Sequence, residues 1–451
     1  MTRRNPMSRR TFLHTLGGMS GAGLLLAACG GTQSTGGGTA ATGATTAPAA
    51  TQGAPTGQTL TIWHLATNPK PFMDVFQRWA DKTGNKLNLV AIPGDAFETQ
   101  TQTRWAAGER PDILEYHGGA AAIITFNPEQ NLQDLSGEAF MTKAPNLYPA
   151  LGTYKGKTYA AITSFPQVFG LYYNKQVLAD VGITTAPKNF DEVQAACEAL
   201  KQQAPDVVPI WESGGSGFPP QILPTCHQAD RPDSWDQDVL DKKTTIDAPD
   251  SPWLASLVMY DTFLKNGYFN KDITTAKFED GIKAVAEGKA AMIALPPFVD
   301  RFNEVLGGDT AKTDSTIGFA YPASKRARAW WIPSPTGTYF APKTGDAARE
   351  AAALDFIRYA TGEGYQQTID ESQTFPVLEG FKSPSKAQGL TLELKKAFDD
   401  NSRAPGNWPP GIQFDRLMST LISGQATPLE VAKQAQLQLA QGAKAQKLPG
   451  W

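Results

Sequence analysis

Between Leu60 and Tyr116 the hydrophobic period switches repeatedly between strand-like and helix-like, and this alternation restricts the fold more than any other feature. Leu60-Thr-Ile-Trp-His64 alternates and is rich in β-formers, which predicts a strand. Pro71 opens a helix that sets Phe72, Phe76 and Trp79 on one face and stops at Gly84. A second strand over Lys86–Ile92, a helix over Asp95–Glu109 and a third strand over Pro111–Tyr116 follow. Parallel strands need a long crossover, and such crossovers are right-handed, so the order predicts βαβ units.

The pattern then restarts. Gly170–Asn174 reads as extended, and Asn189 with Glu192 opens a helix carrying Val193, Ala196 and Leu200. Strands are expected at Val207–Trp211, Ala290–Leu295 and Thr316–Tyr321, with helices at Pro252–Lys265, Phe278–Glu287 and Asp346–Thr361. Thr427-Pro428-x-Glu430 caps a last helix running to about Gln441. Two α/β units thus follow one another without a flexible linker, and the body from Leu60 to Trp451 is long enough for two lobes.

The N-terminus is different in kind. Ser8-Arg9-Arg10-x-Phe12-Leu13 resembles a twin-arginine export motif, and Leu26-Ala27-Ala28-Cys29 resembles a lipobox. The apolar run Leu16–Ala28 is shorter than the roughly 20 residues that span a bilayer. Residues 1–28 are therefore expected to be a signal peptide, with Cys29 lipidated on the outer side of a bacterial membrane. Residues 30–59 contain only Gly, Thr, Gln, Ser, Ala and Pro. Such a segment cannot offset its own ordering entropy, so 29–59 is expected to be a tether with a reach on the order of 30 Å.

Catalytic signatures mostly fail. A net charge of -3 gives no polyelectrolyte partner, and the Lys325, Arg326, Arg328 cluster reads as a solvated turn and not a nucleic-acid patch. His14, His64, His117 and His227 stand alone, without HExxH or CxxC spacing, and no metal or cofactor is implied. Gly152-Thr-Tyr-Lys-Gly-Lys-Thr158 is one residue short of a phosphate loop and precedes a strand. Ser213–Gly217 is not GxSxG. A glycosidase needs only two carboxylates, which spacing does not exclude. Cys197 and Cys226 are open to either a disulfide or buried thiols.

Aromatic residues stand at the ends of the expected strands: Trp63, Tyr116, Trp211, Phe298 and Trp331, with Trp408 before a helix. Ligands of open α/β sheets bind beyond the carboxyl ends of the strands, and flat rings suit the C–H faces of sugars. His64, Asn68, Asp95, Glu115, His117 and Glu212 supply polar partners at the same ends. The bland reading is that most of these rings are core, because large aromatics are usually largely buried.

At these residues the chain resembles an extracellular solute-binding protein, family 1, the sugar-binding lipoprotein of an ABC importer. The marks are Thr-Leu-Thr-Ile-Trp-His64, Gly108-Glu-Arg-Pro-Asp112-Ile, Tyr154–Tyr159, Gly170–Lys175, Phe278–Met292 and Leu354–Ile357, in that order from Leu60 to Gln441. The resemblance implies a two-lobe periplasmic-binding-protein-like α/β fold (type II), each lobe a mostly parallel sheet flanked by helices. The lobes are expected at 60–165 plus 338–378 and at 166–337 plus 379–451. Crossings are expected near Thr163–Gln167, Pro335–Phe340 and Phe375–Phe381. Tyr116 and Phe298 match sugar-stacking positions of maltose-binding relatives, Gln167 falls where they carry a hinge carboxylate, and Trp408 lies near a further aromatic position. The implied function is capture of a carbohydrate by a monomeric receptor that hands it to a permease without chemistry. A glycerol phosphate ester as ligand, with Arg104 or Arg301 in the cleft, and a secreted carbohydrate-active enzyme are the alternatives.

Overall fold

β1 (Thr59–Leu65), β2 (Lys86–Ile92) and β3 (Ile113–Glu115) form where the alternation predicts strands, and β1 pairs in parallel with both others. The helix Lys70–Thr83 between β1 and β2 buries Phe72, Phe76 and Trp79 against the sheet. Gly84 ends it in the left-handed region at φ 71°, donating its N–H to the Ala80 carbonyl, a conformation that glycine adopts without strain. The near-miss phosphate loop is a hairpin of β4 (Thr153–Tyr154) and β5 (Lys157–Thr158), with Lys155 and Gly156 both at positive φ in its turn.

The remaining strands are β6 (Ala160–Ile162), β7 (Gln167–Asn174), β8 (Val208–Trp211), β9 (Ala290–Leu295), β10 (Ile317–Ala320), β11 (Trp330–Ile332) and β12 (Thr338–Phe340). One sheet has the order β2-β1-β3-β12-β6, the other β10-β7-β9-β8, with β11 paired to β7. This computed structural model describes residues 55–451 except 145–146, 217–218, 386, 401, 404–410, 447 and 449. The signal, Cys29, most of the tether and Trp408 lie outside the described residues, as does the side chain of Asp95.

The expectation of mostly parallel sheets is corrected. In the first sheet β12 runs antiparallel to β3 and β6, and in the second only β8 and β9 are parallel. The cause is the path of the chain: β6 leads into β7 through 163–166, and β11 leads back into β12 through 333–337 beside it, so the return strands oppose the outgoing ones. A third passage follows the helices Ala347–Ala360 and Tyr365–Ser372, which pack on the Lys70–Thr83 helix, and ends at the helix Gly389–Asp399, which packs on β10.

Each sheet packs on both faces, although the edge strand β2 is largely exposed. Trp63, Phe97, Trp105, Leu114 and Phe126 fill one side of the first. A continuous core joins its other side, through Val168 and Trp331, to Ile293 of the second sheet and Phe302 of the helix Val299–Val305. The far side of the second sheet packs on the helices Phe190–Gln203, Pro252–Lys265 and Pro428–Ala445. Caps form as read: Asn189 accepts from Glu192 N at 2.9 Å, and Thr427 and Glu430 close a capping box. Cys197 and Cys226 are both buried free thiols, and burial pushes the titration of both upwards.

Candidate functional site

Strand register decides which loops face one another. Tyr339 lies opposite Glu115 and Thr338 opposite Ile162, so the carboxyl ends of β3 and β6 share an edge with the start of β12. Leu295 lies opposite Gly170, so the carboxyl ends of β9 and β8 share an edge with the start of β7. The two short crossings at 163–166 and 333–337 join these edges. The loops after β1 and β3 on one lobe and after β8 and β9 on the other are therefore the ones beside the hinge, where open α/β sheets bind ligands.

On the first lobe the hinge is tied by a buried carboxylate. Glu115 is fully buried; its Oε2 accepts from Leu65 N at 3.1 Å and Asn68 Nδ2 at 2.5 Å, and its Oε1 from Gly337 N at 2.8 Å. Thr336 Oγ1 donates to Asn68 Oδ1 at 2.5 Å, Ser164 Oγ donates to the Thr336 carbonyl, and Thr163 Oγ1 to the Gly337 carbonyl at 2.8 Å. Glu115 thus holds the loop after β1 to the 333–337 crossing, and Thr163 and Ser164 tie the 163–166 crossing to the same residues. Gly337 sits at φ 72° and would place a Cβ 2.7 Å from Thr163 Oγ1, so only glycine fits there. Glu115 stands in the sequence only as a polar neighbour of Tyr116; a carboxylate inside the apolar run Ile113–Tyr116 is the signal that marks it.

The second lobe repeats the device. Glu212, just past β8, accepts from Ser213 N at 2.9 Å and from Tyr260 OH at 3.0 Å, while its own N–H donates to Asn270 Oδ1 at 2.7 Å. The glycine-rich stretch after it is a close backbone approach: a Cβ on Gly215 would lie 2.4 Å from the Thr275 carbonyl. Burial pushes Glu115 and Glu212 each up to about 7, against the pull of their donors.

That pair sets a pH dependence. The folded chain holds these protons between about pH 4.5 and 7 while the unfolded chain has lost them, so the two groups make stability fall as pH rises through that window. Burial lowers His64 and takes His227 down to about 4, and these act in the opposite direction below pH 6.5. The informative quantity is therefore a difference. Glu212→Gln should melt closer to the parent at pH 5 than at pH 8, where it should be the more stable; a constant offset across that range would show that Glu212 does not titrate there.

The structure divides the expected ligand residues. Trp63, Tyr116 and Trp331 are 2%, 3% and 6% exposed. Arg104 covers the Trp63 ring at 4.2 Å, Phe97 stacks on Tyr116 at 5.6 Å while Gln102 donates to its hydroxyl at 2.9 Å, and Phe398 meets Trp331 edge-on at 5.4 Å. Their rings are core here, because alternation assigns a face and not a depth. His64 is buried beside the Leu65 carbonyl. Asn68, His117, Gln167, Trp211 and Phe298 are only partly buried. His117 Nε2 pairs with Glu98 Oε1 at 2.8 Å, Gln167 opens β7 opposite Ile332, and Phe298 tilts against Phe278 at 5.3 Å. The Trp211 Nε1 donor and the Ser213 Oγ are buried without a hydrogen-bond partner among the described residues. Neither arginine is a spare cation: Arg104 pairs with Glu109 at 2.7 Å and Arg301 with Glu304 at 3.5 Å. A cavity of about 460 Å³ touches this region at Pro297 and Phe165, but none of the expected residues lines it.

No group of three or more His, Cys, Asp or Glu side chains suited to a metal occurs among the described residues, and no described helix is long and apolar enough to cross a membrane. Residues 63–367 match the family model described as bacterial extracellular solute-binding protein. The chain belongs to that family. Proteins of Brucella abortus and Brucella suis named as binding proteins are 22% identical to it over 246 residues, 53% of this chain and 58% of theirs, so it spans under two thirds of their length. The melibiose/raffinose/stachyose-binding protein MelE of Bacillus subtilis is 27% identical over 162 residues, 35% of this chain and 37% of that one. The diacetylchitobiose binding protein DasA of Streptomyces coelicolor is 26% identical over 204 residues, 45% of each chain. Among solved structures, a chitin oligosaccharide binding protein superposes with a TM-score of 0.72 at 20% identity, over 86% of this chain and 99% of that one. RafE in complex with raffinose gives 0.65 at 17%, over 84% and 98%. These likenesses establish the type II two-lobe α/β fold, and a family of binding proteins, not enzymes, places this solute-binding protein outside the cytoplasm.

Proposed function

We propose that this solute-binding protein is the receptor of an ABC importer, capturing a carbohydrate between its lobes and delivering it to a permease. The observation that carries this is the hinge geometry: two sheets turn their strand carboxyl ends toward each other across paired crossings tied by Glu115. The lobes are 60–165 plus 338–378 and 166–337 plus 379–451, and the ligand stabilises the closed form by as much as it binds that form better. The sugars named for MelE, DasA and RafE support a carbohydrate as cargo. The pairing of Arg104 and Arg301 weighs against a phosphate ester, which wants a free cation.

Asn68, His117, Gln167, Trp211 and Phe298 are the contacts we assign from the described residues, and Trp408 and Asp95 keep the contact role expected of them from the sequence. The twin-arginine motif exports the chain, and lipid on Cys29 holds it as a monomer on the outer side of the bacterial cytoplasmic membrane, with more than one acyl chain needed for stable anchoring.

Thermal unfolding against mono- and oligosaccharides, polyols, glycerophosphodiesters and peptides tests this reading. A ligand at 100 times its Kd adds about 2.7 kcal/mol to the native state. A shift with one sugar series, the sugar recovered intact, is expected; a shift only with a phosphodiester would keep the receptor and discard the carbohydrate, and hydrolysed sugar would replace the receptor with an enzyme. Phe298→Ala should then weaken that sugar by about 1–2 kcal/mol on loss of ring contact. An unchanged titration isotherm would move the stacking surface away from β9.

A further inference from the structure

The cavity of about 460 Å³ beside the first crossing has walls from both lobes. Residues 372–375, which follow the Tyr365–Ser372 helix of the first lobe, form one wall. The opposite wall comes from the helices Val299–Val305 and Gly389–Asp399 of the second, and Phe165 and Pro166 close the hinge side. The described residues of the loops after β1, β2, β3 and β8 contribute nothing to it; it meets the surface assigned to cargo only at Phe165, Pro166 and Val168 around Gln167 and at Pro297 before Phe298.

Its chemistry is that of a site for a neutral polar molecule. The Phe165 and Phe375 rings meet at 5.7 Å and supply apolar surface. Opposite them Asn303 and Gln388 hold each other through two amide hydrogen bonds of 3.0 Å, which fixes both amides in a plane with edge positions left over. Gln373 sits at the rim as the left-handed cap, φ 54°, that ends the Tyr365–Ser372 helix. Among the described residues Asp300 is the only charged one in the lining and no Lys or Arg lines the cavity, which favours a neutral ligand over phosphates and carboxylates. The volume lies within the range of small-molecule pockets, about 300–1,000 Å³.

We propose that this cavity is a second binding site, for a neutral polyhydroxylated molecule of mono- to disaccharide size, and that its occupation biases the angle between the lobes. The bias follows from the walls. Lobe rotation moves 372–375 relative to Asn303 and Gln388, so a molecule that bridges them binds one angle better than others and shifts the population toward it. A ligand here changes cargo affinity without touching cargo, and cargo changes affinity here by the same factor.

The test uses trehalose, D-glucose and myo-inositol as probes, titrated calorimetrically into the parent, into the Asn303→Ala/Gln388→Ala double variant and into Phe298→Ala. The expected result is binding of at least one probe that Phe298→Ala leaves intact and the double variant weakens tenfold or more, with an unaltered circular dichroism melt. Should the double variant fail to fold, Thr391→Trp, which fills the cavity from its wall, should block the same probe. Absence of binding up to about 100 mM, far weaker than metabolite-range affinities, overturns the proposal. Probe binding lost in Phe298→Ala and kept in the double variant or in Thr391→Trp overturns it too, assigning the probe to the cargo loops and leaving the receptor reading untouched.

Discussion

Glu115→Ala should destabilise the folded chain by about 3 kcal/mol and weaken ligand capture as well. The substitution strips the acceptor from Leu65 N, Asn68 Nδ2 and Gly337 N together. Each donor left unpaired in a buried place costs about 1–3 kcal/mol, and relief of the buried charge offsets part of the total. Glu115→Gln does not rescue it fully, because the amide must point an N–H at one of three donors. Urea unfolding measures the stability loss. Capture suffers for a separate reason: Glu115 and Thr336 hold the Asn68 amide, with only the weaker contact to Met73 Sδ at 3.8 Å besides, so without Glu115 the loop after β1 loses its place at the hinge. A double-mutant cycle with Asn68→Ala separates the two effects, since residues acting through one network couple by about 0.5–3 kcal/mol. Additive losses would show that Glu115 supports the fold without positioning the loop.

The contrast between what the sequence displays and what it hides follows from the range of each interaction. Gly84, Asn189 and Thr427 act within one helix turn, so their roles are legible from neighbouring letters. The first three strands are legible for the same reason, since alternation is a local property and the crossover rule supplies their order. The return strands are not. Nothing within β12 states that it will lie antiparallel to β3, more than two hundred residues earlier in the chain. Burial depth is equally non-local. Trp63 and Trp211 occupy similar strand-end positions, yet Arg104 from the helix after β2 covers one while the other remains partly open. Asn68 lies at a break in period that marks a strand end whatever the packing behind it, whereas Gln167 is reached only through the family resemblance.

Asp236→Ala is expected to cost about 3–5 kcal/mol, the largest effect of any single charge in the protein, because it breaks a buried ion network instead of a surface pair. Arg231 grips Asp236 with three contacts of 2.8–3.0 Å, and Arg403 reaches the same carboxylate at 2.8 Å. All three side chains are at most 10% exposed, so alanine would leave two guanidiniums in a medium that solvates them poorly. Asp233 supplies the control. It contacts Arg328 and Arg403 at 3.0 Å but is 78% exposed, so Asp233→Ala should cost under about 1 kcal/mol. Equal losses in the two variants would mean that the solvent-facing carboxylate carries the network. Sequence gives no hint of this cluster, since its members come from three distant segments. Its position gives it a functional reach: Arg403 N donates to the Ala329 carbonyl at 2.7 Å and its carbonyl accepts from Trp331 N at 3.1 Å, so the network clamps β11, the strand that runs into the 333–337 crossing. Loosening that clamp should broaden the range of lobe angles and lower cargo affinity with every proposed cargo contact intact. Parent-like affinity at a temperature where Asp236→Ala is still folded would confine the cluster to stability and leave the angle to Glu115 and the crossings alone.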